Sequence, residues 1–247
     1  MLKNFTLTHT KIITLFSLLI TLSSYSCDKL NDLDVPVLVF PPKFDSNTPE
    51  QDYVFQLIQL ILKKSNKKYG HCEARLLDHK LPLKRLELYL EQDREIHVAA
   101  LTVSYARDNN LLPVSIPISK GLMGYRLLMI REGDKNKFSN VNSLADLGKL
   151  MAGQGIGWAD VSILEHNDLP VITTGSIKTL IDMLAHGRFD YFPRGALQII
   201  TEMRAYKGKP VELEPSILLS YPSMTALYVN SNNTKLAQRL EYGLKQS

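Results

Sequence analysis

The sequence predicts an α/β chain folded as two lobes, each a mostly parallel sheet flanked by helices, with two crossover connections. Three patterns predict it. From residue 35 to residue 103, short apolar runs alternate with helix-length amphipathic segments in the order β-α-β-α-β, which implies parallel strands with right-handed crossovers. A second α/β alternation follows, from Leu122 to about Arg204. Extended segments near residues 119–126 and 216–224 then provide two passages between the units.

Val35 to Phe40 is a β-branched apolar strand ended by Pro41-Pro42, and Asn47 and Thr48 offer helix caps ahead of Pro49. Val54, Leu57, Ile58, Ile61 and Leu62 recur at helical spacing, so an amphipathic helix should run to about Lys68 and close at Gly70. Cys72 to Leu77 reads as a strand. Pro82 to Gln92 reads as a helix with Leu83, Leu86 and Leu90 inward, and His97 to Val103 as a third strand. Ligands bind such sheets beyond the carboxyl ends of the strands, and Arg107 lies just past the end of the third.

In the second unit, Leu122 to Ile130 reads as a strand and Asn142 to Asp146 as a capped helix start. Met151 to Trp158 is a short strand breaking into glycines before a helix from Asp160 to Glu165. Val171 to Thr173 is a strand. The helix marked by Ile177, Leu180, Ile181 and Leu184 is capped at Ser176 and stopped by Gly187. Phe189 to Phe192 is the last strand before Pro193-Arg194-Gly195 and a helix to about Arg204. Leu218 to Asn230 is extended and apolar and carries the chain back, and Thr234 to Lys245 forms a final helix. The domains expected are residues 27–122 with 220–247 as one lobe and 123–219 as the other.

The first 26 residues contain Lys3 and Lys11, no acid, an apolar run from Ile12 to Leu22, and small residues at Ser24 and Ser26. They read as a secretory signal, because the apolar run is far shorter than the roughly 20 residues of a membrane span. The expected location is the periplasm. Cys27 follows the cut, where bacterial lipoproteins are acylated, but Ser24 and Tyr25 depart from that motif and lipid anchoring is not favoured. Two cysteines permit a Cys27–Cys72 disulfide in an oxidising compartment; a free, buried Cys72 is the reading favoured here.

The full chain carries a formal charge of +4, which falls to +2 when Lys3 and Lys11 leave with the signal. No concentrated basic face accompanies that balance, so a nucleic-acid partner is not expected. The basic pairs Lys63-Lys64 and Lys67-Lys68 sit at the end of one helix, where they oppose its dipole. No G-x-S-x-G elbow, P-loop or dinucleotide fingerprint is present, and the histidines of the exported part have no metal-ligand spacing. No catalytic residue, metal ligand or cofactor is assigned, and the chain is expected to be a monomer and not an enzyme.

Leu101-Thr102-Val103-Ser104-Tyr105-Ala106-Arg107 breaks an apolar strand into a polar turn ending in arginine. It resembles the L-T-I-T-x-x-R signature of periplasmic solute-binding proteins of the amino-acid ABC-transporter type, with the type II periplasmic-binding-protein fold. Three longer stretches resemble one subgroup of that family: Ile116 to Ile130 (I-P-x-x-K-G-L-x-G-Y-R-L-L-x-I), Gly153 to Asp160 (G-Q-G-x-x-W-x-D), and Gly187 to Gly195 (G-R-F-D-Y-F-P-R-G). The resemblance spans roughly residues 34–245. It implies a receptor that closes on a small solute and delivers it to a membrane permease, with Ala100, Thr102 and Arg107 on the first-lobe wall. A sensory receptor reporting to a membrane signalling partner is the alternative, and a dehydratase-like enzyme on the same fold is a lesser one. The resemblance also implies a further turn or helix beyond Lys245.

Two departures bear on the solute. The glycine-rich turn of lobe two, Gly155-Ile156-Gly157-Trp158, has Ile156 where the resemblance implies a hydroxyl. Arg194-Gly195 stands where it implies an aspartate for the solute's ammonium. A cation there disfavours an ordinary α-amino acid. The expectation is therefore that Arg107 and Arg194 face each other across the cleft and hold a carboxylate-bearing or anionic solute, since the guanidinium fork gives two parallel charge-assisted bonds. The amides of Gly155 to Trp158, at a helix start, would add donors. Blander readings stay open: Arg107 paired with Asp108 or a distant acid, Arg194 paired with Asp190 or Glu202, Trp158 as a packing staple, and Asp160 as a helix-start charge.

Overall fold

The computed structural model describes Cys27, residues 37–41 and residues 49–247. The signal segment and the Asn47 and Thr48 caps lie outside the described residues. In chain order the first part holds β1 (Val37–Phe40), α1 (Pro49–Tyr69), β2 (Glu73–Leu76), α2 (Leu83–Glu91), β3 (Ala99–Thr102), α3 (Tyr105–Asp108) and β4 (Leu111–Pro113). The second holds β5 (Tyr125–Arg131), α4 (Lys135–Phe138), α5 (Leu144–Leu147), β6 (Ala152–Gly155), α6 (Ala159–His166), β7 (Val171–Thr174), α7 (Ile177–Ala185), β8 (Tyr191–Gly195), α8 (Ala196–Ala205) and β9 (Val211–Ser220). The chain then returns through β10 (Thr225–Asn230) and ends on α9 (Thr234–Lys245).

These elements make two lobes. In lobe one β1 pairs with β2 in parallel, and β10 runs antiparallel between β3 and β4. His97 joins the two groups: its amide donates to Val39 O at 3.0 Å, and its Nδ1 accepts from Val39 N at 2.9 Å. In lobe two the strand order is β7-β6-β8-β5-β9, with β6 parallel to both neighbours and β5 antiparallel to both of its own.

The helical periodicity places a core on both faces of each sheet. Leu38, Ile58, Ile61, Leu227 and Leu240 pack on one side of the first sheet, and Leu86, Leu90, Leu101 and Tyr228 on the other. Burying each such side chain stabilises by about 1.5–3 kcal/mol. Gly243 lets α9 lie directly on α1, because a Cβ there would stand 2.6 Å from Ile61 O. In lobe two, Leu128, Ile130, Leu164 and Tyr191 cover one face, and Met129, Leu180, Ile181 and Phe192 the other. Tyr191 is fully buried, while Tyr125 is exposed.

Cys27 and Cys72 form a disulfide, which corrects the expectation of a free Cys72. With a separation of 45 residues the chain-entropy model assigns it about 4 kcal/mol. Its Sγ atoms are spent, so lipid attachment at Cys27 would require breaking it. Arg239, 1% exposed, reinforces this corner from α9 by donating to Ser65 Oγ at 2.9 Å and Gly70 O at 2.8 Å, and its Nη1 lies 3.4 Å from Cys27 Sγ.

Three boundaries differ from expectation, each for a local reason. The strand expected from Leu122 begins at Tyr125, because Gly121, at φ 79°, turns the chain into a 3-10 turn first. The strand expected to stop at Phe192 extends to Gly195, paired to β5, so Arg194 lies within it. The return segment is two strands: β9 begins at Val211, and the chain breaks at residues 221–224 before β10.

The two passages between lobes lie side by side. Tyr125 pairs with Ser220, and Tyr221 N donates to Gly124 O at 3.1 Å. A Cβ on Gly124 would stand 2.3 Å from Tyr221 O, so any side chain there would part the two connections.

Candidate functional site

Arg107 is positioned by the break after β3. Ser104 has extended backbone and caps α3, its Oγ accepting from Arg107 N at 3.4 Å, and this turn folds the Arg107 side chain back to 7% exposure. Nη1 donates to Thr102 O at 2.7 Å and Nε to Glu87 Oε1 at 2.6 Å. Nη2 donates to Gly157 O at 3.0 Å, which belongs to the other lobe. A guanidinium has five N–H donors, so Nη1 and Nη2 each carry a second hydrogen beyond these bonds.

Glu87 comes from α2 and is 6% exposed. Its second oxygen accepts from Lys84 Nζ at 3.0 Å, one helical turn earlier on the same face. Lys84 also reaches lobe two. A Cβ on Gly157 would stand 2.9 Å from Lys84 Cε, and Gly157 has φ 77°, so position 157 is reserved for glycine by conformation and by the lysine stem lying over it. Asp108, the sequence-adjacent partner considered for Arg107, instead accepts from Tyr228 OH at 2.6 Å. Burial, then that bond and charge, push the Tyr228 phenol well above its ordinary range.

Facing Arg107 is the turn after β6. Ile156 is 52% exposed, and Ile156 N donates to Thr174 O at 3.1 Å while Trp158 N donates to Gly155 O at 3.1 Å. Two of the four amides expected to serve as anion donors are therefore committed inside the lobe. Trp158 packs as a staple: its ring stacks on Phe192, with centroids 6.2 Å apart, and fills the space where a Gly155 Cβ would sit. Only glycine at 155 admits that ring.

Arg194 lies against this tryptophan. It is 4% exposed, pairs with Glu202 of α8 through Nε at 2.6 Å and through Nη2, and places its guanidinium 4.8 Å from the Trp158 ring and 4.7 Å from the Phe192 ring. The structure thus brings Arg107, Gly157 and Trp158 to one place but gives each arginine its own acid. Ala100 is not in this group; it packs against the first-lobe core opposite Leu227, and Thr102 contributes its carbonyl to Arg107.

Another buried arginine near the lobe boundary was not singled out from the sequence. Arg126, 3% exposed at the start of β5, pairs with Asp160 at 2.8 Å and donates through Nε to Tyr221 OH at 3.0 Å; Tyr221 OH donates in turn to Asp160. Burial and then the Asp160 charge raise the Tyr221 phenol well above its ordinary range. Asp160 is in the first turn of α6, as expected of a helix-start charge, and it also ties that turn to both inter-lobe connections. Among the described residues no group of three His, Cys, Asp or Glu side chains is placed to hold a metal ion.

The same architecture recurs among solved structures. An ancestral arginine-binding protein bound to arginine superposes with a TM-score of 0.63 at 15% identity, covering 85% of this chain and 91% of that one. The VFT2 domain of Bordetella pertussis BvgS gives 0.63 at 19% identity over 85% and 87%. An amino acid ABC transporter substrate-binding protein from Streptococcus pneumoniae, bound to L-arginine, gives 0.61 at 12% identity over 85% and 87%. The fold is that of the type II periplasmic binding proteins. No protein-family model matches the sequence, and no curated protein matches it. In a binding-protein fold the Arg107–Gly157 contact lies where the two lobes meet, beyond the carboxyl ends of β3 and β6.

Proposed function

We propose that the chain is an exported solute-binding receptor that closes on a small carboxylate-bearing solute and delivers it to a membrane transporter. Residues 27–122 and 220–247 form one wall of the cleft and 123–219 the other. The observation that carries this reading is Arg107, a buried guanidinium at the lobe boundary whose Nη2 already meets an oxygen of the opposite lobe. Its planar guanidinium suits a carboxylate, and Lys84 supplies a second cation alongside. Arg194, held by Glu202 against the Trp158 and Phe192 rings, supports the packing of lobe two and makes no direct bond to the solute. That revises the idea of two opposed arginines while keeping the carboxylate.

The disulfide supports export, since such bonds persist in oxidising compartments. No described helix is long and apolar enough to cross a membrane. The test is a thermal-shift panel on residues 27–247 with monocarboxylates, dicarboxylates, aromatic acids, amino acids and amines. A solute at 100 times its dissociation constant stabilises by about 2.7 kcal/mol, a readily measured shift. Stabilisation by acids and not by amines is the expected result; stabilisation by amines alone would overturn the carboxylate assignment.

A further inference from the structure

Two independent contacts cross between the lobes at one point: the Arg107 Nη2 bond to Gly157 O, and the Lys84 stem lying over Gly157. Both side chains are governed by Glu87, which takes Arg107 Nε on one oxygen and Lys84 Nζ on the other. A carboxylate chelated by a guanidinium and an ammonium, where both touch Gly157 of the other lobe, is the arrangement a carboxylate-bearing solute would itself adopt. Here the protein provides that carboxylate from α2. We propose that Glu87 is an internal stand-in for the solute, and that the clasp Glu87–Arg107–Gly157 holds the lobes together when no solute is present.

The consequence rests on the receptor reading given above and concerns how the solute enters. In a receptor whose cationic residues are open, the solute draws separated lobes together. In this chain an acidic solute exchanges with Glu87 on Arg107 and Lys84, so its affinity is reduced by the internal competitor. Glu87 then determines specificity. It sets a threshold that a weakly chelating acid does not pass, while the net positive charge left by two cations sharing one carboxylate still favours an anion.

The clasp is tested on solute-free protein, so the identity of the solute does not enter. Protein is unfolded in denaturant with its disulfide intact, dialysed, refolded, and shown to be solute-free by native mass spectrometry. Small-angle X-ray scattering then gives the radius of gyration of the wild type, Arg107→Lys and Glu87→Gln, with circular dichroism reporting that each is folded. The solute-free wild type is expected to be compact, with no further contraction on adding succinate, benzoate or glutamate, and Arg107→Lys is expected to be expanded. A wild type as expanded as Arg107→Lys would overturn the clasp and leave the receptor reading standing.

The competitor role is read separately, by titrating the same three acids. Glu87→Gln should bind the best of them tighter, by about tenfold, since a competing charge has been removed. Weaker binding would mean that Glu87 supports Arg107 instead of competing for it. If none of the acids binds either protein, the carboxylate reading fails and the clasp is judged on scattering alone.

Discussion

Arg107 and Arg194 are equally deep in the structure, at 7% and 4% exposure, and each is matched to a glutamate, yet they sit in different mechanical settings. Arg194 is paired with Glu202, eight residues along in the same lobe, over rings of that lobe. Arg107 has a partner in its own lobe and another across the boundary. Arg194 is therefore part of the core of lobe two, and Arg107 belongs to the boundary between lobes. Burial and charge alone do not separate these roles; the location of the acceptors does.

The largest expected effect tests the core side of that contrast. Glu202→Ala leaves a buried guanidinium without its acid, and should lower unfolding stability by about 3–5 kcal/mol in a urea titration. The same truncation at Glu87 should cost less, about 1–2 kcal/mol, because Arg107 at the boundary can turn toward water once the lobes part. Equal losses would erase the distinction. Gly157→Ala should cost about 1 kcal/mol through its positive φ alone, with an added expansion of the molecule as the new Cβ pushes Lys84 aside. Gly155→Ala should instead alter the fluorescence of Trp158, the single tryptophan, by displacing its ring.

The smallest effect is seen only at alkaline pH. Tyr191 and Tyr228 have phenols raised above their ordinary value, chiefly by burial, and Tyr221 likewise. A raised folded pKa means the contribution is intact below about pH 10 and is lost as pH climbs toward the folded values. Stability should therefore fall above pH 10. Of the 11 tyrosines, these three should ionise only as the fold opens, seen as a lag in tyrosinate absorbance relative to the unfolded chain.

The sequence was most legible where a pattern repeats within one element. The apolar spacing of α1 and α7, the cap at Ser176 and the capped start at residues 142–146 needed nothing from the rest of the chain, and Ser176 Oγ and Ser143 Oγ do accept backbone bonds. The first half of β9 was missed because Pro215 interrupts its alternation. The proline is tolerated at a sheet edge, where the register between β5 and β9 shifts and buried Glu214 accepts from Ser216 N and Ile217 N. Strand β4 was missed because three residues ending in Pro113 carry no period.

Arg107 was found through its motif, but its acid was not, since Glu87 lies twenty residues upstream on α2 and meets it only in the folded chain. The one local hint was Lys84 and Glu87 at i,i+3 spacing on an otherwise leucine-rich helix. Glu202 was legible as an alternative for Arg194 because the pair is local in sequence. The Arg126–Asp160–Tyr221 group was not, because it joins three elements across up to 95 residues.

The central claim is that Arg107 at the lobe boundary receives the solute's carboxylate. Isothermal titration of the best-stabilising acid into wild-type protein and into folded Arg107→Lys tests it most directly. The account predicts that the lysine variant, which keeps the charge but loses the planar fork, binds at least tenfold more weakly, in line with about 1.4 kcal/mol or more. Unchanged affinity in that variant would contradict it.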